Sequence, residues 1–329
     1  FARNSQLKSI GKCSFSYSSL ETMLIPRHVS RIGTCCFSQC QKIKTIKFTE
    51  DSELVSLGNN CFFFSKIEHI SIPSEITNLQ DSTFMLCDNV KKVEFLNGSK
   101  LRTIGKYVFI SSNIESLSIP SSVANFDELW SNQANYLTDI KVFPAKEENI
   151  TYYDNKFILG KTDLKSDNFD ILYFARRDIE KAVIPSSITQ IASYAFDGCK
   201  QLKIVEFPKD SKLKLIGKYA FSMSSVENFT IPSSAVCFDK FSFSHCQNLK
   251  RISFCEEIKM TSLSQFCFSL SMIESICIPA SITIIESQCF SQCRNLRTIE
   301  FAKNSNLKII EKYAFNHSSI DNISIPSSV

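Results

Sequence analysis

A solenoid that grows by stacking short parallel β-strands is the fold class this sequence predicts, and three observations predict it. Ile-Pro pairs begin at Ile25, Ile72, Ile119, Ile184, Ile231, Ile278 and Ile325, and every interval is 47 residues except the third, which is 65. Phenylalanines recur at Phe15, Phe37, Phe62, Phe84 and Phe109, and again at Phe196, Phe221, Phe243, Phe268, Phe290 and Phe315, at spacings alternating between 22 and 25. The third is length: 329 residues exceed what one hydrophobic core ordinarily fills. A long chain with a fixed internal echo reads as a stack.

The 47-residue unit is therefore two alternating repeats. Each opens on L-x-x-L-x-L spacing, as in IKTIKF from Ile43, IEHISIP from Ile67 and LKIVEF from Leu202. A period in the twenties with that spacing is the leucine-rich-repeat signature, in which a repeat supplies one short parallel strand and cannot bury its apolar edge alone. Thirteen segments fit, from LETMLIP at Leu20 to IDNISIP at Ile320. Within each, the last apolar positions alternate with polar ones, the period of a strand with one face buried. The Pro that follows many of them ends the ladder.

A second apolar block follows each strand, typified by ITQIASYAF and LKLIGKYAF. Its Phe is expected to fill the space between the strand layer and the convex layer, which makes Phe37, Phe84, Phe196, Phe221, Phe243, Phe290 and Phe315 structural residues. The residue before that Phe is small or short, as at Cys36, Ala195 and Ala220, and marks a tight packing position. The expected whole is a curved right-handed leucine-rich-repeat solenoid of the α/β class, mostly short parallel strands, with about 13–14 repeats of alternating 22 and 25 residues. It reads as one solenoid fragment over residues 1–329, truncated at both ends, because the sequence opens and stops inside a repeat.

Fourteen cysteines invite a disulfide reading that the spacing opposes. Cys40, Cys87, Cys199, Cys246 and Cys293 sit three residues after the repeat Phe, in every second coil. Equivalent positions two coils apart are separated by roughly 9–10 Å, whereas a bridge needs Cα atoms within about 7 Å. These five are structural: buried small hydrophobes with a weak S–H donor for turn carbonyls. Cys13 with Cys35, Cys36 with Cys61, and Cys267 with Cys289 occupy neighbouring coils, where distance allows a bridge and parallel side-chain directions argue against it. CFSQC is C-x-x-x-C without a second pair, so no metal site and no cofactor is expected.

Regularity breaks once. Phe109 to Phe196 spans 87 residues where the alternation predicts 69, and the excess falls in an irregular hairpin-bearing insertion at 143–178. There KFILGK and DILYFAR flank the polar TDLKSDN. Two readings stand side by side. Its aromatics seal a widened coil, or an irregular loop on a rigid scaffold carries recognition through Tyr152, Tyr153, Tyr173, Phe174, Arg176 and Arg177.

Little points to chemistry. The four histidines lie in unrelated coils, and no nucleophile, metal-ligating or phosphate-cradling motif occurs, so no catalytic residue and no enzyme is expected. With 37 basic and 33 acidic residues the net charge is only +4, which gives no nucleic-acid footprint. No apolar run reaches the roughly 18–20 residues of a membrane span.

The strands are more informative. One column reads Glu21, Lys44, Glu68, Lys91, Glu115, Thr138, Glu180, Lys203, Glu227, Lys250, Glu274, Arg297, Asp321, alternating acid and base with one lapse. Opposite charges on neighbouring coils favour register and avoid like-charge columns. Beside it, alternation turns Lys47, His69, Lys92, Glu94, Asp139, Lys141, Lys181, Glu206, Arg251 and Glu300 outward. This mixed polar sheet suits a protein or glycan better than a small-molecule pocket, and these ten are the candidate binding residues. Five N-x-[ST] sequons, at Asn97, Asn149, Asn228, Asn316 and Asn322, add weak support for a secretory history.

The wording IEKAVIPSSITQIASYAFDGCKQLKIVEF resembles the BspA-like, or Treponema pallidum-type, leucine-rich repeats. The 22/25 alternation, with IPSSV, DSKLKLIGKYAF and SSIESLSIP-like segments, resembles the BspA-like surface proteins of Trichomonas vaginalis. The resemblance implies a non-catalytic cell-surface or secreted adhesin, or the stalk of one, meeting host-cell or extracellular-matrix proteins or glycans. The family lacks a portable binding motif, so no functional residue carries over. Many unpaired cysteines and no visible export signal favour the alternative, a cytoplasmic scaffold for protein–protein interaction. Self-association through an open strand at each end of the stack is a further expectation.

Overall fold

In a computed structural model, which describes residues 1 and 5–329, the chain forms two compact units: Phe1–Asn155 with Asp163–Lys165, and Lys156–Thr162 with Ser166–Val329. The first unit contains β1 (Ser9–Ile10), β2 (Thr22–Ile25), β3 (Arg31–Ile32), β4 (Thr45–Phe48), β5 (Ser56–Leu57), β6 (His69–Ile72), β7 (Asn78–Leu79), β8 (Lys92–Phe95), β9 (Thr103–Ile104), β10 (Ser116–Pro120), β11 (Asn125–Phe126), β12 (Asp139–Phe143) and β13 (Ile150–Tyr153). The second contains β14 (Phe157–Gly160), β15 (Ile171–Ala175), β16 (Lys181–Val183), β17 (Gln190–Ile191), β18 (Ile204–Glu206), β19 (Leu215–Ile216), β20 (Asn228–Ile231), β21 (Cys237–Phe238), β22 (Arg251–Phe254), β23 (Ser262–Leu263), β24 (Ser275–Ile278), β25 (Ile284–Ile285), β26 (Thr298–Phe301), β27 (Ile309–Ile310) and β28 (Asn322–Ile323).

Each regular repeat makes two strands, not one. The longer strands pair in parallel, in the order β2-β4-β6-β8-β10-β12 in the first unit and β16-β18-β20-β22-β24-β26-β28 in the second. The two-residue strands of the second apolar block form separate small sheets, such as β1-β3-β5 and β23-β25-β27. The leucine-rich-repeat β-solenoid of about fourteen turns is therefore free of helices among the described residues, and each two-residue strand of a regular repeat is followed by a run of turns. Apolar alternation carries the longer strands: Ile46, Ile70, Val93, Leu117 and Ile140 point inward, as do Ala182, Val205, Phe229, Ile252, Ile276 and Ile299.

The repeat Phe rings stack into columns. In the first unit Phe15, Phe37, Phe62, Phe84 and Phe109 lie 5.3–5.7 Å apart, within 8° of parallel. In the second, Phe196 through Phe315 follow at 4.7–5.6 Å. Such offset stacking adds to the area each ring buries. After Phe109 the next slot holds Ser131, while Trp130, one residue early, lies edge-on to Phe109 at 6.3 Å.

Each Phe sits between two left-handed residues, two positions before and two after it, as Cys35 and Gln39 flank Phe37 and Phe266 and Leu270 flank Phe268. Most of these residues are not glycine, and none of the positive-φ residues among those described is Val, Ile or Thr. β-branched side chains tolerate that backbone worst. The residue choice at these corners is thus a steric rule that spacing alone does not reveal.

The five repeat cysteines are buried, and their thiols reach carbonyls of the preceding coil: Cys40 to Phe15 O at 3.0 Å, Cys87 to Phe62 O at 2.9 Å, Cys246 to Phe221 O at 3.1 Å and Cys293 to Phe268 O at 3.0 Å, with Cys199 longer, at 3.7 Å from Arg176 O. A serine 22 residues earlier completes the contact at Ser18, Ser65, Ser224 and Ser271. Burial pushes the thiols of Cys87, Cys246 and Cys293 up to about 12, so they are inert packing groups. All fourteen cysteines are unbridged.

Candidate functional site

Register places the outward side chains in columns. In the first unit Thr45, His69, Lys92, Ser116 and Asp139 are neighbours on successive strands, and Ser71, Glu94, Ser118 and Lys141 form a second column. In the second unit Lys181, Ile204, Asn228, Arg251, Ser275, Thr298 and Asn322 form one column. Val183 beside Glu206, Thr230 beside Ser253, and Cys277 beside Glu300 make the other. All ten strand-face candidates lie on this outward side, Glu94 half-buried and the rest exposed.

Their electrostatics differ between the units. In the first, Glu94 accepts from Ser71 Oγ at 2.8 Å and pairs with Lys92 at 2.6 Å, while Ser116 Oγ donates to Asp139 at 2.7 Å. Hydrogen bonds from Lys92 and Ser71 hold the Glu94 carboxyl below its usual range. A depression of about 320 Å³ here includes Lys47, His69, Lys92 and Glu94 in its lining. In the second unit Lys181 pairs with Glu206 at 2.8 Å. Arg251 and Glu300, however, have no ion-pair partner among the described residues.

Those two unpaired charges line a larger depression, about 810 Å³, over β22, β24 and β26. Its floor is made of the short side chains Ser253, Ser275, Cys277 and Thr298, and its wall of Phe254, Cys255, Glu256, Glu257, Ile258, Pro279 and Asn306. Short residues on three adjacent strands, bounded by longer ones on the following turns, create the concavity. Burial, then Glu300, raises the Cys277 thiol, which leaves it protonated and weakly nucleophilic. The arrangement offers hydroxyls, a guanidinium and carboxylates to a polar ligand, without a nucleophile activated by a base. Glu256, Glu257 and Cys277 were not legible as site residues from spacing; the signal was the acidic pair in ISFCEEIKM, directly after a strand.

The charge column beside this face is a backbone ladder, since the N–H of Lys44, Glu68, Lys91, Lys250 and Glu274 each donates to the carbonyl of the column's preceding residue at 2.8–2.9 Å. Lys91 pairs with Glu115, and Arg297 with Asp321 at 3.6 Å. These exposed pairs serve register more than stability.

The insertion forms a true hairpin, β14 antiparallel to β15 with a bulge between Ile158 and Leu159. β15 then pairs in parallel with β17, so the hairpin joins the sheet of short strands. Asp170 ties its base by accepting from the N–H and hydroxyl of Thr162 at 2.8 and 2.6 Å. Two of its candidate binding residues are corrected. Phe174 is fully buried, and Arg177 is 4% exposed. The Arg177 guanidinium lies 4.2 Å over the Phe174 ring and donates to Ala195 O at 3.0 Å and toward Cys199 Sγ at 3.6 Å. It fills the slot 22 residues before Cys199, where other coils put serine. Of the others, Arg176 is held bidentately by Asp178 at 2.9 and 2.6 Å. The Tyr173 ring packs where a Cβ on Gly160 would stand, 2.2 Å from the ring. Tyr152 Oη donates to Asn155 O, and Tyr153, 46% exposed, is open to solvent; both lie on β13 of the first unit.

No helix among the described residues is long and apolar enough to cross a membrane. The BspA type leucine rich repeat region matches residues 8–138, 169–269 and 261–329 in six copies, leaving out most of the hairpin. No curated protein matches the chain significantly. Among solved structures, a leucine-rich repeat protein from Eubacterium ventriosum is similar at 18% identity and a TM-score of 0.69, over 99% of this chain and 84% of that one. The pneumococcal vaccine antigen PcpA is similar at 19% and 0.69, over 98% and 78%. A leucine rich cell surface protein from Faecalibacterium prausnitzii is similar at 20% and 0.61, over 93% and 83%. At such identities the likeness is one of fold. The family match, which spans both units and follows the strand-and-Phe period seen in the structure, is stronger: the chain belongs to the BspA-type leucine-rich-repeat family.

Proposed function

We propose that this chain is a non-catalytic binding protein displayed at a cell surface or secreted, an adhesin or adhesin stalk that meets host-cell or extracellular-matrix protein or glycan. The observation that carries the reading is the strand face of the second unit, where Arg251 and Glu300 stand unpaired at an open, hydroxyl-floored depression. Unpaired charges on a rigid sheet are free to pair with a partner's, giving specificity and encounter rate. A vaccine antigen and a cell surface protein are among the proteins of similar fold, which supports the location, as does the likeness of the repeats to Trichomonas surface proteins.

The test is saturable binding of the protein to epithelial cells and to matrix proteins, for the wild type and for a variant with residues 143–178 replaced by an ordinary coil. Saturable binding that survives the replacement is expected. Its absence on every surface would remove the adhesin reading. One observation favours a second reading, an intracellular scaffold: Cys13, Cys255 and Cys277 are exposed free thiols, which persist best in a reducing compartment.

A further inference from the structure

The structure sorts the five N-x-[ST] sequons, which the binding face does not absorb. The atom that accepts a sugar in such a sequon is the carboxamide nitrogen, Nδ2. Asn149 is 6% exposed and its Nδ2 donates to Ser122 O at 2.8 Å, so that nitrogen is buried and committed. Asn97, Asn228, Asn316 and Asn322 are exposed, and their side chains make no hydrogen bond among the described residues. Two of the four have a special place. Asn228 on β20 is in register with Arg251, and Asn322 on β28 is in register with Thr298. Arg251, Ser275 and Thr298 lie between them in the same column and line the depression. The two sequons thus bracket it, four strands or about 19 Å apart.

We infer that Asn228 and Asn322 accept N-linked glycans that fence the depression of the second unit and limit access to Arg251 and Glu300. The donor is a lipid-pyrophosphate-linked oligosaccharide. Nδ2 forms a bond to the anomeric carbon, the bond from that carbon to the pyrophosphate oxygen breaks, and the amide proton leaves as the lipid pyrophosphate departs. A branched, hydrated glycan on the outward column excludes a protein partner from the neighbouring strand while leaving the buried core untouched. The functional half of this inference rests on the proposed binding role; the occupancy half rests only on the proposed surface or secreted location.

The experiment secretes the whole protein from eukaryotic cells and maps the sequon peptides by mass spectrometry, before and after enzymatic deglycosylation in heavy-oxygen water. Glycan on Asn228 and Asn322, with Asn149 bare, is expected. Both bare, or Asn149 occupied in folded protein, would overturn the inference. Binding to epithelial cells is then compared for the secreted wild type, the Asn228→Gln/Asn322→Gln double variant and unglycosylated protein from bacteria. The fence predicts that the double variant and the bacterial protein bind about tenfold more tightly than the secreted wild type; equal binding by all three would overturn it. If none binds, the binding role fails while the occupancy result stands on its own.

Discussion

The two units have cores of the same design and differ in what they show. Each stacks phenylalanine on phenylalanine between left-handed corners, but on the first unit's strand face both acids are held, Glu94 by Lys92 and Ser71 and Asp139 by Ser116, with only the lysines Lys47 and Lys141 left without an ion pair among the described residues. The second unit leaves Arg251 and Glu300 without such partners and opens a wider depression between them. The corners differ too. In the second unit Tyr194, Tyr219, Phe241 and Phe266, each two residues before a repeat Phe, stack at 4.4–5.0 Å, whereas the first unit holds Cys13, Cys35, Asn60, Ser82 and a single aromatic, Tyr107, there. Charges satisfied within a surface serve the fold, and charges left unsatisfied are available to a partner.

The largest effects test the shared half of this comparison. Phe62→Ala and Phe243→Ala remove equivalent rings from the two columns, and each is expected to lower unfolding free energy by about 3–5 kcal/mol in denaturant titrations. A strongly unequal pair would mean the cores are not equivalent. Next comes the one coil that departs from the pattern. Arg177→Ala leaves a void over Phe174 and removes one of the two donors to the Ala195 carbonyl, which keeps the Ala175 N–H at 3.0 Å, a loss of about 3 kcal/mol, against about 1 kcal/mol for Ser224→Ala in a regular coil.

The corner rule is tested by Leu86→Val in the first unit and Leu270→Val in the second, each placing a β-branched residue at positive φ and expected to cost about 1–2 kcal/mol. The smallest effects concern the faces. Lys92→Ala should lower stability by less than about 1 kcal/mol, while Arg251→Ala and Glu300→Ala should leave the melting temperature unchanged. Because the Glu94 carboxyl titrates below its unfolded value, its contribution is present above the unfolded pKa and fades as pH falls through the folded one. Acid titration of thermal stability should show that loss in the wild type and less of it in Ser71→Ala.

Most of the architecture was legible because a repeat writes the same physics many times. Ile-Pro spacing located the longer strands, the 22/25 Phe rhythm located the stacked column, and alternation put all ten polar candidates on the outward side. What escaped lay where a slot was filled by an unusual residue or where pattern was too short. Two-residue strands such as β9 and β25 carry too few positions for a period. Ser131 in a Phe slot hid one coil behind Trp130. Arg177 read as a surface charge, because a buried guanidinium on Phe174 has the same letter as an exposed one; only its distance of 22 from Cys199 marked it as a core slot. The depression escaped for a different reason, since concavity comes from short side chains on three adjacent strands, and no single repeat shows it.

Charge reversal on each strand face tests directly whether recognition belongs to that of the second unit, as we propose. Binding of the unglycosylated protein to epithelial cells should be measured for the wild type, for Arg251→Glu with Glu300→Lys, and for Lys92→Glu with Glu94→Lys. The first charge swap is expected to abolish saturable binding, while the second, which exchanges an internal pair, leaves it nearly intact. Loss of binding in the second swap alone would contradict this assignment and move recognition to the first unit.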